Sequence, residues 1–183
     1  YAEMLKHGLI SNTAHWAELL NFNTSDIDYT ALKQLVGRSV QVKEDIVEQD
    51  PFEHGIRKAL NLGHTVGHAF ESMALAENRP VLHGYAVAWG IVCELYLSHL
   101  KVGFPKEKMR QTIQFIKDNY GVFTFDCKKY EQLYAFMTHD KKNTSGTINF
   151  TLLKDIGDIR INQIADKDTI FEMLDFYREC MGI

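Results

Sequence analysis

The chain has 183 residues, 45% of them hydrophobic, enough for one well-filled core or two small ones sharing an interface. A formal charge of −4, with Lys and Arg scattered, excludes the basic stripe that a nucleic-acid partner needs. Cys93, Cys127 and Cys180 are odd in number and far apart, with no zinc-ribbon spacing, which points to reduced thiols and a cytoplasmic protein.

Residues 1–20 set Met4, Leu5, Leu9, Trp16, Leu19 and Leu20 at helical spacing, with a break at Ser11-Asn12. Glu3 and Lys6 share a face with His7 and Ile10, as a solvated charge pair would or as part of a site. Asp28 or Thr30 caps a second helix that runs to about Glu48. Val36, Val40, Lys43 and Val47 follow its core period, so Lys43 either snorkels to water or reaches into a pocket. Asp50-Pro51 stops this helix, because the residue before proline is driven out of the α region.

The stretch 57–71 reads as one helix with two sorted faces. Arg57, Asn61, His64, His68 and Glu71 form a polar stripe, and Ala59, Leu62, Val66, Ala69, Phe70 and Met73 face the other way. A solvent-facing helix is ordinarily filled with Lys and Glu pairs, whereas these groups ligate metals, move protons or bind anions. A satisfied histidine pair on a polar surface is the plainer alternative. Gly63 and Gly67 flank the histidines. Glycine costs about 1 kcal/mol inside a helix, so something approaches the backbone closely there.

Residues 72–80 weaken into a turn or loop, and 85–100 form a buried helix, apolar nearly all round. That run carries Glu94, Ser98 and His99 and is too short and polar to span a bilayer; no signal peptide is expected either. His83 stands at its mouth, as a cap or core histidine or pointing into enclosed space. Amphipathic helices follow at Pro105 and around Tyr130 to Met137. The run 139–146 gathers Lys141 and Lys142 among turn formers, as solvated loop charge or as anion ligands. Strands 147–153 and 158–161 pair in a hairpin, and Asp166 caps a last helix. The fold class is therefore mainly α, one multi-helix domain over 1–183 with one short β-hairpin.

Glu3, His64 and His83 offer one carboxylate and two imidazoles, a set that suits zinc or a similar divalent ion with a position left for substrate. His68, one turn beyond His64, holds a general acid/base position. Lys6, Lys43, Arg57, Lys141 and Lys142 exceed what a metal site needs and fit a phosphate- or carboxylate-bearing substrate.

Together these motifs resemble the C-terminal domain of 3-dehydroquinate synthase, over essentially the whole chain. The resemblance is carried by the runs 2–6, 53–57, 60–71 and 140–142 with Lys43, His83-Gly84 and Gly146. It implies zinc or cobalt on Glu3, His64 and His83. It also implies substrate contacts from Lys6, Lys43, Arg57, Asn61, His68 and Lys141 or Lys142, with Glu53 a further polar member. The family converts 3-deoxy-D-arabino-heptulosonate 7-phosphate to 3-dehydroquinate, using and regenerating NAD within one turnover, and a homodimer of the full-length enzyme is expected.

Two departures stand out: Tyr85 follows His83-Gly84 where an acidic residue is common, and the chain shows no strand, glycine-rich turn and helix of a dinucleotide-binding domain. Most of the NAD site is accordingly expected in an N-terminal domain absent from this chain, which should fold alone without catalysing. The alternatives are a sister sugar-phosphate cyclase, a metal-dependent polyol dehydrogenase domain, and a non-catalytic helical metal-binding module.

Overall fold

The computed structural model describes residues 1–140 and 146–183. Asn12 interrupts the first helical stretch: its side chain accepts from the His15 N–H, separating α1 (Ala2–Ser11) from α2 (Thr13–Asn21). Asp28 caps α3 (Tyr29–Gln49) through the N–H groups of Thr30 and Ala31, and the helix stops at Asp50-Pro51. Next come a 3-10 turn (Ile56–Asn61), α4 (His64–Ala76), α5 (His83–Val102), α6 (Lys106–Tyr120) and α7 (Tyr130–Thr138). A hairpin of β1 (Asn149–Asp155) and β2 (Asp158–Ile164), antiparallel, precedes α8 (Lys167–Met181), which Asp166 caps.

Helix α5 is the centre of the core. Ala86 to Leu95 are all buried, so every face of the helix meets protein. It packs most extensively on α4, and the crossing is close because small residues line both sides. A Cβ on Gly90 would lie 2.0 Å from the Gly63 carbonyl oxygen, and one on Gly67 would lie 2.9 Å from that of Ala86. The close approach read from Gly63 and Gly67 is thus made by α5. An aromatic cluster of Phe70, Trp89, Phe123, Phe125 and Tyr177 fills the far side, and the Tyr177 hydroxyl pairs with both backbone groups of Phe123.

Three expectations need correction. The stretch 57–71 is not one helix: Leu62 is extended and Gly63 left-handed, at φ +80°, so a 3-10 turn ends before α4 begins. The polar stripe survives because the turn still points Arg57 and Asn61 to the side of the histidines. Helix α4 also runs on to Ala76, through residues read as loop. On α3 the buried stripe is Leu35, Ser39 and Ile46, whereas Val36 and Val40 are 43% and 48% exposed and Lys43 is exposed beside them. Moving one residue turns a helix by about 100°, so two neighbouring apolar stripes compete, and α1 packs on the one that includes Ser39.

The hairpin braces the site from behind. Thr151 donates to the Lys58 carbonyl at 2.7 Å and Thr65 to the Asn149 carbonyl at 3.2 Å, tying β1 to the 3-10 turn and to α4. At the hairpin turn, the Gly157 N–H donates to the Leu9 carbonyl at 2.9 Å and so holds the end of α1.

Candidate active site

Two helix N-termini meet at the site, α4 starting at His64 and α5 at His83. Ring centroids lie 5.3 Å apart for His64–His68, 5.3 Å for His64–His83 and 5.9 Å for His68–His83. Each Nδ1 faces a group that can only accept: the Leu62 carbonyl at 3.0 Å from His64, the Asp140 carboxylate at 3.3 Å from His68, and both Glu71 oxygens at 3.1 Å from His83. Such partners fix the proton of a neutral imidazole on Nδ1 and leave Nε2 bare.

Glu3 completes the group from the first turn of α1. Its Oε1 lies 3.2 Å from Nε2 of His64 and 3.6 Å from Nε2 of His83, while Oε2 contacts the Lys6 ammonium. Donor atoms of Glu3, His64 and His83 all fall within 4.8 Å of one another. Lone pairs so placed repel unless a proton or a cation lies between them. One carboxylate and two imidazoles, partly open to solvent, are the donor set of a catalytic zinc-type ion, so these residues fit the metal. Burial acts to raise the Glu3 carboxyl, but a proton between it and Nε2 of His64, together with the Lys6 charge, outweighs burial and holds it far below the usual carboxylate range.

Beside the triad a cleft of about 470 Å³ is lined by Lys6, His7, Lys43, Glu53, Arg57, Leu60 and Asn61 as well as by Glu3, His64 and His83. Lys6 is buried, at 4% exposure, whereas Lys43 reaches the cleft from the exposed flank of α3. Arg57 donates to the Pro51 carbonyl at 2.6 Å, and Asn61 donates to Glu53 at 3.0 Å. Structure thus gathers Glu3, Lys6, Lys43, Glu53, Arg57, Asn61, His64 and His83 at one cleft, with His68 in ring contact. Lys141 and Lys142 lie outside the described residues; Asp140, just before them, contacts His68.

The supporting roles of three residues escaped the sequence reading. Glu94, wholly buried on α5, accepts from the N–H groups of Gly63 at 2.6 Å and Val66 at 3.1 Å. It caps α4 from another helix, where Gly63 at the N-cap position has no side chain to do so. Asp50 accepts from the N–H groups of His54, Gly55 and Arg57 and so shapes the loop that presents Glu53 and Arg57. An Asp before Pro with Gly beyond it is the available signal. Burial acts against the Asp50 carboxylate, yet those three bonds hold its pKa down. His7 is buried with Nδ1 2.5 Å from the Ser39 hydroxyl; burial first, and then the neighbouring Lys6 charge, lower its pKa from 6.5 to about 4.

The fold recurs in solved structures of two synthases. A 2-epi-5-epi-valiolone synthase from Streptomyces hygroscopicus, with NAD+ and Zn2+ bound, superposes with a TM-score of 0.78 at 19% identity, over 97% of this chain and 50% of that one. A 2-deoxy-scyllo-inosose synthase complexed with carbaglucose-6-phosphate, NAD+ and Co2+ gives 0.75 at 19% identity, over 97% and 49%. The likeness shows a shared fold, over about half of each of those chains. More particularly, the family profile described as 3-dehydroquinate synthase C-terminal matches residues 1–143, and the chain belongs to that family. The 3-dehydroquinate synthase of Parabacteroides distasonis is 59% identical over 183 residues, all of this chain and 52% of the relative. That of Leptospira interrogans is 41% identical over 168 residues, 88% of this chain and 45% of the relative. The chain thus spans about half the length of these curated relatives.

Proposed function

We propose that this chain supplies the metal- and substrate-binding part of a 3-dehydroquinate synthase, which turns 3-deoxy-D-arabino-heptulosonate 7-phosphate into 3-dehydroquinate and phosphate. The observation that carries the proposal is the convergence of three acceptor atoms, on Glu3, His64 and His83, at the edge of a cleft rich in cations. When bound there, a zinc or cobalt ion acidifies substrate hydroxyls and polarises a ketone, and NAD supplies hydride transfer.

The chain's own residues do the rest. Lys6, Lys43 and Arg57 hold the phosphate and carboxylate, with Lys141 or Lys142 joining them, and the linked Glu53 and Asn61 meet hydroxyl groups. His68, with Asp140 behind its Nδ1, moves protons at Nε2. Loss of phosphate is a β-elimination: a proton leaves the carbon beside the ketone, and phosphate departs with the electron pair of its bond to carbon. We place the NAD site in a dinucleotide-binding domain outside these 183 residues. The whole protein is read as a homodimer, to be checked by light scattering.

The test is phosphate release from the heptulosonate phosphate, by the 183-residue chain and by the same chain joined to the N-terminal half of the Parabacteroides distasonis relative. Turnover by the joined protein alone, with no saturable NAD binding below millimolar in the short chain, weaker than about −4 kcal/mol, is expected. Micromolar NAD binding by the short chain would overturn the placement of NAD. A joined protein that binds metal but releases phosphate only from other sugar phosphates would make the chain part of a sister cyclase, the second reading that the shared fold supports.

A further inference from the structure

Glu71 lies on the polar stripe of α4 but does not line the cleft, and the reaction outlined above gives it no part. Its carboxylate straddles Nδ1 of His83, with both oxygens at 3.1 Å, across the crossing of α4 and α5. The opposite ring nitrogen of His83 is the one that faces Glu3, at 3.6 Å. A ring held this way has one function per nitrogen. Nδ1 carries a proton donated to a carboxylate, and Nε2 keeps a lone pair aimed at the triad.

The geometry points to Glu71 as a positioning residue: we infer that it selects the tautomer and ring orientation of His83 and thereby raises the affinity of the Glu3–His64–His83 triad for a divalent ion. The inference rests on the proposed triad and adds a residue that acts through His83. Its counterpart is the Leu62 carbonyl on Nδ1 of His64, a backbone group that no substitution removes. The two ligand histidines therefore differ. His64, with its side chain 12% exposed, is oriented by the fold, while His83, at 49%, depends on one side chain.

Donor atoms of His68, Glu71 and His83 also lie within 4.8 Å of one another, so they compose a second possible cluster. It competes with the first for His83. An ion held there through Nδ1 would take the place of the proton shared with Glu71, and His83 would have to bridge two ions as an imidazolate. Two adjacent cations and a doubly deprotonated ring make this the costlier arrangement, and the positioning role needs no second ion.

The test uses metal-free and zinc-loaded protein in four forms: parent, Glu71→Ala, Glu71→Gln and His64→Ala. Zinc affinity is read by competition with a chromophoric chelator, stoichiometry by metal analysis, and the His83 tautomer by ring nitrogen-15 NMR of the metal-free protein at pH 8. Glu71→Ala should lower zinc affinity about tenfold, the small end of the usual range because water reaches the half-exposed ring. It should also move the His83 proton from Nδ1 toward Nε2. Glu71→Gln, which keeps an acceptor oxygen, should retain the Nδ1–H form and lose less affinity. A role confined to packing would leave the tautomer unmoved. If His64→Ala binds zinc like the parent, the triad itself is wrong. If His64→Ala loses zinc while Glu71→Ala changes neither affinity nor tautomer, only the role of Glu71 falls. Two ions per chain, the second lost in Glu71→Ala, would replace positioning with direct ligation.

Discussion

The two sides of the cleft are built differently. On the imidazole side, every ring has its Nδ1 tied to an acceptor, the helices that carry the rings cross with no room for a methyl group, and a buried carboxylate caps one of them. On the cation side, Lys6 is buried against Glu3, but Lys43 stands on an exposed helix flank and Arg57 at the start of the 3-10 turn, beside the loop shaped by Asp50. A metal ion rewards ligands fixed within tenths of an ångström, whereas a mobile anion is held well enough by charges at the ends of long side chains. Rigidity is concentrated where geometry decides binding.

The contrast can be broken by mutation, and the largest effect should come from the helix crossing. Gly90→Ala puts a methyl group 2.0 Å from the Gly63 carbonyl and 2.7 Å from the Gly67 nitrogen, so the two helices must part. A loss of about 3 kcal/mol or more, read by urea unfolding, should accompany a collapse of zinc affinity. Glu94→Ala leaves two N–H groups unpartnered in the core and should cost about 2–3 kcal/mol, again with weaker zinc binding. A stable Glu94→Ala protein with parental zinc affinity would show that α4 needs no cap from α5.

Between the two sides sits His7. Its folded pKa of about 4 lies below the ordinary 6.5, so the unfolded chain binds more protons between these values. Its contribution is complete above pH 6.5 and is lost as pH falls toward 4, on the order of 3 kcal/mol. A His7→Gln protein should show a flatter profile over that window in pH-dependent unfolding. The smallest effect belongs to the cation side. Lys43→Ala should change stability by less than about 0.5 kcal/mol and leave zinc affinity unchanged, while inorganic phosphate binds several-fold more weakly by calorimetry. A stability loss above 1 kcal/mol would show that Lys43 is part of the packing.

Legibility followed the same division. The apolar runs of α5 and α6, the cap Asp166 and, as one of two candidates with Thr30, the cap Asp28 announced their elements, because burial and capping act through neighbouring residues. Glu3, His64 and His83 were readable as candidates by residue type, but the sequence holds other histidines and carboxylates, and the structure groups His68, Glu71 and His83 as closely. Helix phase on α3 was not legible, because Val36 and Leu35 are equally apolar and only the partner helix chooses between them. Nor could the break at Leu62-Gly63 be seen, since the cap that permits it comes from Glu94, a residue that reads as an oddity within an apolar run.

The bond from Gly157 to Leu9, together with that from Thr151 to Lys58 across 93 residues, bears on the order of folding. The helix that carries Glu3 is held at its far end by a hairpin late in the chain. Closing such a loop is entropically slow compared with winding any one helix. His64 and His68 can therefore share a helical turn early, yet a three-point claw for a cation exists only after the hairpin has docked. Until then the chain would offer a divalent ion only the groups of α4 and α5, and the proposed triad would be completed by Glu3 late in folding.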